Sequence, residues 1–220
     1  LKAQVKDNYQ ITVATFDKYA KQYQDKYLEF AQYTQTYDCL LSYLTADSRL
    51  LDISCGPGSI SRYLVAKEAK LTVFGIDLAP QMITLAKQNV PSGHFEIMDC
   101  RHLHKLIDRN MPPFDLIACG FALPYLSQTD LVAFFAHLRA LIAPQGIVYL
   151  STMEGEDSRS GLQTGSTGDS VYVHYHQYDF IEQQLAANGF QIRDVKRQLF
   201  PTAEGTTATT DLFILAQAGT

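Results

Sequence analysis

The 220-residue sequence predicts an α/β fold: a seven-stranded, mostly parallel sheet with helices on both faces and an antiparallel hairpin at its C-terminal end. Three observations predict it. Short apolar runs alternate with amphipathic segments of helix length between residues 49 and 151, the spacing of right-handed βαβ units. The first run stops in Gly56-Pro57-Gly58, a turn between strand and helix. The last two apolar runs, at about 190–199 and 210–216, have no helix-sized segment between them and therefore pair antiparallel.

Taken in order, residues 1–46 read as helical and aromatic. Phe16, Tyr19, Ala20, Tyr23 and Tyr27 recur at spacings of three and four, one face of a helix, with lysines and glutamines opposite. Leu50-Leu51-Asp52-Ile53 is the first strand, and a helix follows at about Ser59–Lys67. Leu71–Asp77 is the second strand. Pro80 opens the next helix, where proline's missing N–H costs nothing, and Met82, Ile83, Leu85 and Ala86 form its apolar face. His94–Met98 is the third strand, running into Asp99, and a weaker helix spans about 103–109. Phe114–Cys119 is the fourth strand. Ser127–Ile142 is strongly amphipathic, and Pro144-Gln145-Gly146 turns into the fifth strand, Ile147–Ser151. Residues 152–177 are polar and rich in Gly, Ser and Thr. A loop that long inside a compact domain is usually functional, so a lid or substrate-facing insertion is expected there. Residues 178–188 form a further helix, stopped by Asn188-Gly189.

The composition narrows the function. Charged residues make up 19% of the chain and hydrophobic ones 46%, which excludes disorder as the main state. The formal charge is −5, and no dense Lys/Arg run offers a nucleic-acid footprint. No apolar stretch has the length of a membrane span. Cys39, Cys55, Cys100 and Cys119 show no Cys-x-x-Cys spacing. Free thiols in a reducing cytoplasm, and no metal site, are therefore expected.

The chemistry concentrates at three strand tips. Asp52, Asp77 and Asp99 stand at or just beyond the ends of strands one, two and three, where open α/β sheets bind ligands. Any one of them could instead cap a helix. Together, three carboxylates repel one another unless each meets its own donor. A cationic ligand with an amine, a ribose diol and an exocyclic adenine amine supplies three. Asp77 then takes the ribose, as the acidic residue after strand two does in dinucleotide folds.

These residues resemble the motifs of the class I S-adenosylmethionine-dependent methyltransferases, a Rossmann-like family. Leu51-Asp52-Ile53-Ser54-Cys55-Gly56-Pro57-Gly58 is similar to the first motif, Gly75 to Met82 to the second, Met98-Asp99-Cys100 to the third and Phe114 to Ile117 to the fourth. Asn188-Gly189-Phe190 is similar to the entry to the sixth strand, and Phe16 to Tyr23 to the element that folds over the cofactor. The resemblance implies S-adenosyl-L-methionine as methyl donor, S-adenosyl-L-homocysteine as product and a small-molecule acceptor. Residues 1–46 would be a cap on a methyltransferase domain at 47–220. It implies that the loop of Ser54, Cys55, Gly56 and Gly58, beside Asp52, meets the methionyl end. Asp77 would bind the ribose, with Leu78 and Met82 packed on the adenosine. Asp99 would accept the adenine amine, with Cys100 near the ring. Cys119, Gly120 and Phe121 would pass beneath the methionine, and Tyr19 and Tyr23 would close over it. One position departs: Ser54 stands where the family usually has Gly, so a left-handed backbone there would cost roughly 1 kcal/mol or more.

A sulfonium methyl is already electrophilic, so alignment and water exclusion carry the reaction. A base is needed only if the acceptor must lose a proton early. His174, His176 and Tyr125 are the candidates. His174-x-His176 and His102-x-His104 lack a third ligand at obvious spacing, and no metal is expected. Two other readings compete. Gly56-x-Gly58-x-x-Ser61 partly fits a nicotinamide fingerprint, and the Ser54 departure allows a sensor or scaffold that holds the cofactor without turnover. No nucleic-acid or membrane partner, and a monomer or homodimer, are expected.

Overall fold

The computed structural model describes residues 8–165, 168–200 and 209–220. Three N-terminal helices, α1 (Asn8–Lys18), α2 (Ala20–Tyr27) and α3 (Ala31–Leu41), precede the first strand. Alternating elements follow: β1 (Arg49–Ile53), α4 (Ser59–Lys67), β2 (Thr72–Asp77), α5 (Pro80–Asn89), β3 (His94–Ile97), α6 (His104–Asp108), β4 (Phe114–Gly120), α7 (Gln128–Leu141) and β5 (Ile142–Glu154). A short hairpin, β6 (Gly161–Thr164) and β7 (Ser170–Val173), leads to α8 (Tyr178–Ala187), β8 (Phe190–Phe200) and β9 (Thr209–Ala218).

The main sheet has seven strands in the order β3-β2-β1-β4-β5-β9-β8. The first five run parallel, and β9 lies antiparallel between β5 and β8. Both faces are covered, which explains why the strands read as unbroken apolar runs. Successive side chains alternate between two cores. Leu51, Ile53, Ile76, Ile117 and Cys119 join the core under α7 and α8. Leu50, Val73, Leu116, Ala118 and Tyr149 join the core under α3 and α4. In register, Ile53 pairs with both Ile76 and Cys119, so the tips of β1, β2 and β4 end level. Gly75 is required within β2. A Cβ there would lie 2.4 Å from the Phe95 ring and 3.3 Å from Cys55 Sγ. Helix α7 starts with a capping box in which Ser127 and Asp130 bind each other's main-chain N–H, a local device worth about 1 kcal/mol.

Two expectations need correction. The aromatic stripe does not lie on one helix. The chain breaks between α1 and α2 at Tyr19 (φ −107°, ψ 19°), whose hydroxyl turns outward and donates to Asp169 Oδ2 at 2.6 Å. Nor are residues 152–177 simply a loop. β5 stays paired with β9 as far as Glu154, and within the remainder β6 pairs antiparallel with β7, which lies against α1. Thr15 Oγ1 donates to the Ser170 carbonyl at 2.7 Å, and buried Thr12 Oγ1 accepts from the Tyr172 N–H at 2.9 Å. The hairpin's polar residues gave no apolar alternation because main-chain pairing and two threonines hold it.

Candidate active site

The site starts from the strained turn after β1. Ser54 (φ 52°), Gly56 (φ 54°) and Gly58 (φ 82°) all take left-handed conformations. For Ser54 this costs about 1–2 kcal/mol, so the departure from glycine is a real strain. The Cys100 thiol meets the Tyr9 hydroxyl at 3.2 Å, and the Ser54 hydroxyl acts against the burial that raises that thiol. Gly56 needs its freedom for a second reason. A Cβ there would meet only the Tyr23 ring, at 3.9 Å, so the glycine leaves bare backbone facing a cleft. Asp77 holds the turn in place. Its Oδ2 accepts from the Gly56 N–H at 2.9 Å and its Oδ1 from the Ala79 N–H at 2.8 Å, tying the β1 turn to the start of α5.

The cleft has two recesses. The first encloses about 570 Å³, counting space open to solvent. Its floor is Ser54, Gly56, Asp77 and Gly120. Leu78, Ala79 and Met82 form one side, and Tyr9, Thr12, Val13 and Phe16 of α1 form the roof with Tyr23 and Tyr125. The second, about 420 Å³ on the same basis, lies towards α2, α3 and the start of α4. Tyr27, Tyr33, Tyr37, Asp52, Ser59 and Ile60 line it. Tyr23, Ser54, Gly56, Gly120 and Phe121 belong to both, so the recesses meet at the turn. Their size falls in the range of small-molecule sites, at the sheet edge where α/β folds bind ligands.

Burial dominates the electrostatics. Asp52 is 1% exposed and accepts from Ser61 Oγ at 2.5 Å and from the Ser61 N–H at 3.3 Å. Loss of solvent outweighs these bonds and pushes its carboxyl up to about 7. Burial also raises Asp77, against the main-chain donors that favour its charged form. Burial holds the hydroxyls of Tyr23 and Tyr125 well above the usual tyrosine range, so both are donors at neutral pH. No Lys, Arg or His lines either recess among the described residues.

The structure gathers most, not all, of the residues singled out in the sequence. Tyr23, Ser54, Gly56, Asp77, Leu78, Met82, Gly120, Phe121 and Tyr125 line the first recess; Asp52 and Cys55 line the second. Five do not reach the cleft surface. Gly58 packs against Ala86, Cys119 is fully buried and Cys100 sits under Tyr9. Tyr19 turns to Asp169. Asp99 caps the short turn Cys100–His102, accepting from the Arg101 N–H at 2.8 Å, and both its oxygens are gripped by the Arg101 guanidinium. The histidines lie apart. His176 is buried with Nε2 3.1 Å from the carbonyls of Leu123 and Leu126, while the main-chain N–H of His174 donates to the Pro124 carbonyl at 2.6 Å. Burial lowers both imidazoles, keeping them neutral at pH 7. The roof of Tyr9, Thr12 and Val13 was missed. With Phe16 these residues recur at three and four, the helical signal that would have found them.

Known proteins with this plan can now be set beside it. A solved magnesium protoporphyrin IX methyltransferase from Synechocystis PCC 6803, with bound S-adenosylhomocysteine, superposes with a TM-score of 0.66 at 20% identity, covering 97% of this chain and 100% of that one. The fold is that of the class I S-adenosylmethionine-dependent methyltransferases. A family model described as a methyltransferase domain matches residues 50–146, from β1 into β5. Trans-aconitate 2-methyltransferase of Methylobacterium nodulans is 32% identical over 83 residues, 38% of this chain and 30% of that protein. The chain spans 30% to 50% of the length of the first three curated relatives it matches. The fold does not by itself fix the reaction. SpnF, described as a [4+2]-cyclase, superposes with a TM-score of 0.69 at 13% identity, covering 96% of this chain and 97% of that one.

Proposed function

We propose that this chain binds S-adenosylmethionine in the first recess and transfers its methyl group to a small-molecule acceptor. The observation that carries the reading is the Asp77 clamp beside the bare Gly56 backbone. A half-buried carboxylate and the bare backbone of Gly56 face one cleft at the level tips of β1, β2 and β4. The residues fit the group. Asp77 keeps acceptor capacity for a ribose diol beyond its two main-chain donors. Leu78 and Met82 offer an apolar face to a purine, and the 54–58 turn with Gly120 offers backbone to an amino-acid tail. When bound, the donor supplies a sulfonium methyl, an electrophile that needs no metal or base for activation.

The chain's own residues then align and exclude water. Phe16 meets Tyr23 at 5.8 Å and Tyr125 at 5.2 Å between ring centroids, closing the roof with aromatic faces that favour a positive sulfur. Tyr125 serves as a hydrogen-bond donor, since burial keeps its proton in place. The adenine role expected of Asp99 is left out of this reading because Arg101 occupies its carboxylate. His174 and His176 are left out as bases because neither lines the cleft. Helices α1–α3 act as the cap. Among the described residues no helix is long and apolar enough to cross a membrane. The four cysteines are unpaired, which supports a reducing compartment, the cytoplasm. Calorimetric titration with S-adenosylhomocysteine tests the binding step, and release of that product from S-adenosylmethionine across an acceptor panel tests turnover. Binding without turnover on any acceptor would favour the sensor reading.

A further inference from the structure

The short helical turn Leu123–Tyr125, which follows β4, carries Tyr125 into the roof of the first recess, where its ring meets Phe16. So short a turn fixes little by itself. Its carbonyls are held from one stretch of chain, residues 174–176. His176 Nε2 lies 3.1 Å from the carbonyls of both Leu123 and Leu126, and the His174 N–H donates to the Pro124 carbonyl at 2.6 Å. Carbonyls only accept, so His176 carries its proton on Nε2 and donates to both. Its Nδ1 is buried with no hydrogen-bond partner among the described residues, so Nε2 alone orients the ring by hydrogen bonding. The residue is 1% exposed, and its ring lies near-parallel to those of His174, at 6.2 Å and 14°, and Phe180, at 6.1 Å and 27°. The stretch is tied in turn to the chain leaving β5. The Gly155 N–H donates to the His176 carbonyl at 3.3 Å, and the Tyr175 N–H to Ser160 Oγ at 3.0 Å.

On the reading of the first recess given above, we propose that His176 is a positioning residue for the cofactor site: its shared hydrogen bond to the Leu123 and Leu126 carbonyls sets the turn that holds Tyr125 against Phe16 over the recess. His176 lines neither recess, so it acts only through Tyr125. An imidazole in the core pays desolvation that a phenyl ring would not, and a phenyl ring would serve packing alone. What the imidazole adds is one donor aimed at two carbonyls that flank Tyr125 on either side. Without that donor the Leu126 carbonyl loses this partner, the turn is free to rotate, and the roof ring moves with it.

The test compares two substitutions in the whole chain. His176→Phe keeps a ring and loses the donor, whereas His176→Gln keeps an N–H donor and loses the ring, so the pair separates hydrogen bonding from stacking. The first readout is NMR of protein carrying carbon-13 at the tyrosine ε positions, with the Tyr125 resonance assigned through Tyr125→Phe. That resonance is expected to move in His176→Phe and to keep its native position in His176→Gln. The second is calorimetric titration with S-adenosylhomocysteine. Binding is expected to weaken at least about fivefold in His176→Phe and to stay within about twofold of native in His176→Gln. Adding His176→Phe to Tyr125→Leu is expected to bring no further loss. A Tyr125 resonance unmoved by His176→Phe, an equal loss in both variants, or losses that add on the Tyr125→Leu background would each overturn the inference. If His176→Phe does not fold, His176→Gln decides: a native Tyr125 resonance and native affinity uphold the role of the donor, and a change in either overturns it. If native protein does not bind S-adenosylhomocysteine, the proposed function fails, and the Tyr125 resonance in the protein alone still decides the positioning.

Discussion

Asp77→Ala is the most informative single substitution. The carboxylate accepts from the Gly56 and Ala79 N–H groups at 2.9 and 2.8 Å. Ala79 is 1% exposed, so its amide loses its partner without gaining water. Leaving two N–H groups unpaired costs about 2–4 kcal/mol of stability. Binding loses separately. A hydrogen bond from a ribose hydroxyl to a charged acceptor is worth about 1.5–3 kcal/mol, so the dissociation constant for S-adenosylhomocysteine rises at least about tenfold, towards a hundredfold. A ligand cycle separates the two effects. Calorimetry is run with S-adenosylhomocysteine and with its 2′,3′-dideoxy analogue, on native protein and variant. The variant should bind both ligands with about the affinity that native protein shows for the analogue. An unchanged dissociation constant would refute the ribose assignment. An equal loss for both ligands would show that the turn had collapsed and that no diol contact had been removed.

Three further outcomes follow from the geometry. Asp52 titrates near 7 in the fold against an ordinary 3.8, so between about pH 4 and 7 the native chain holds a proton that the unfolded chain has released. Its contribution is full below about pH 4 and is lost as pH rises through 7, on the order of 4 kcal/mol. The melting temperature of Asp52→Asn relative to native protein should therefore rise from pH 5 to pH 8; a pH-independent difference would contradict the burial argument. Ser54→Gly removes left-handed strain but loosens the unfolded chain, whereas Ser54→Ala keeps the strain and loses the hydroxyl. Urea unfolding should rank the glycine variant about 1 kcal/mol above the alanine variant, and the reverse order would show that the turn is unstrained. Thr12→Val orphans the Tyr172 N–H and should cost about 1–2 kcal/mol locally. Amide exchange at Tyr172 should then speed up by about tenfold or more while β1 and β4 stay protected, and uniform exchange would disprove a separate hairpin contact.

The sheet was legible because a strand buried on both faces leaves an apolar run that no helix pattern imitates. Leu50 to Ile53 and Phe114 to Cys119 are such runs, and turn residues mark their ends. The Asp77 position was legible for the same reason, since it follows a strand whose end is unmistakable. Asp99 was harder. A carboxylate at a strand tip looks the same whether it faces a ligand or caps the next turn, and the Arg101 guanidinium, two residues on, holds both its oxygens in a contact that spacing alone does not weigh. The tyrosines of α2 and α3 were half legible. Tyr23 and Tyr27 share the stripe, but Tyr33 reaches the second recess only because the chain turns at Phe30, the extended residue before α3. The β6–β7 hairpin left no signal because main-chain bonds and the hydroxyls of Thr12 and Thr15, some 155 residues away, hold it.

The central claim is tested most directly by a crystal structure of the chain with S-adenosylhomocysteine. The account predicts the ribose hydroxyls on the Asp77 carboxylate, the amino-acid tail along the Ser54–Gly58 turn and the sulfur beneath Tyr23. A nucleoside found away from Asp77, or a saturated crystal with nothing in the first recess, would contradict it.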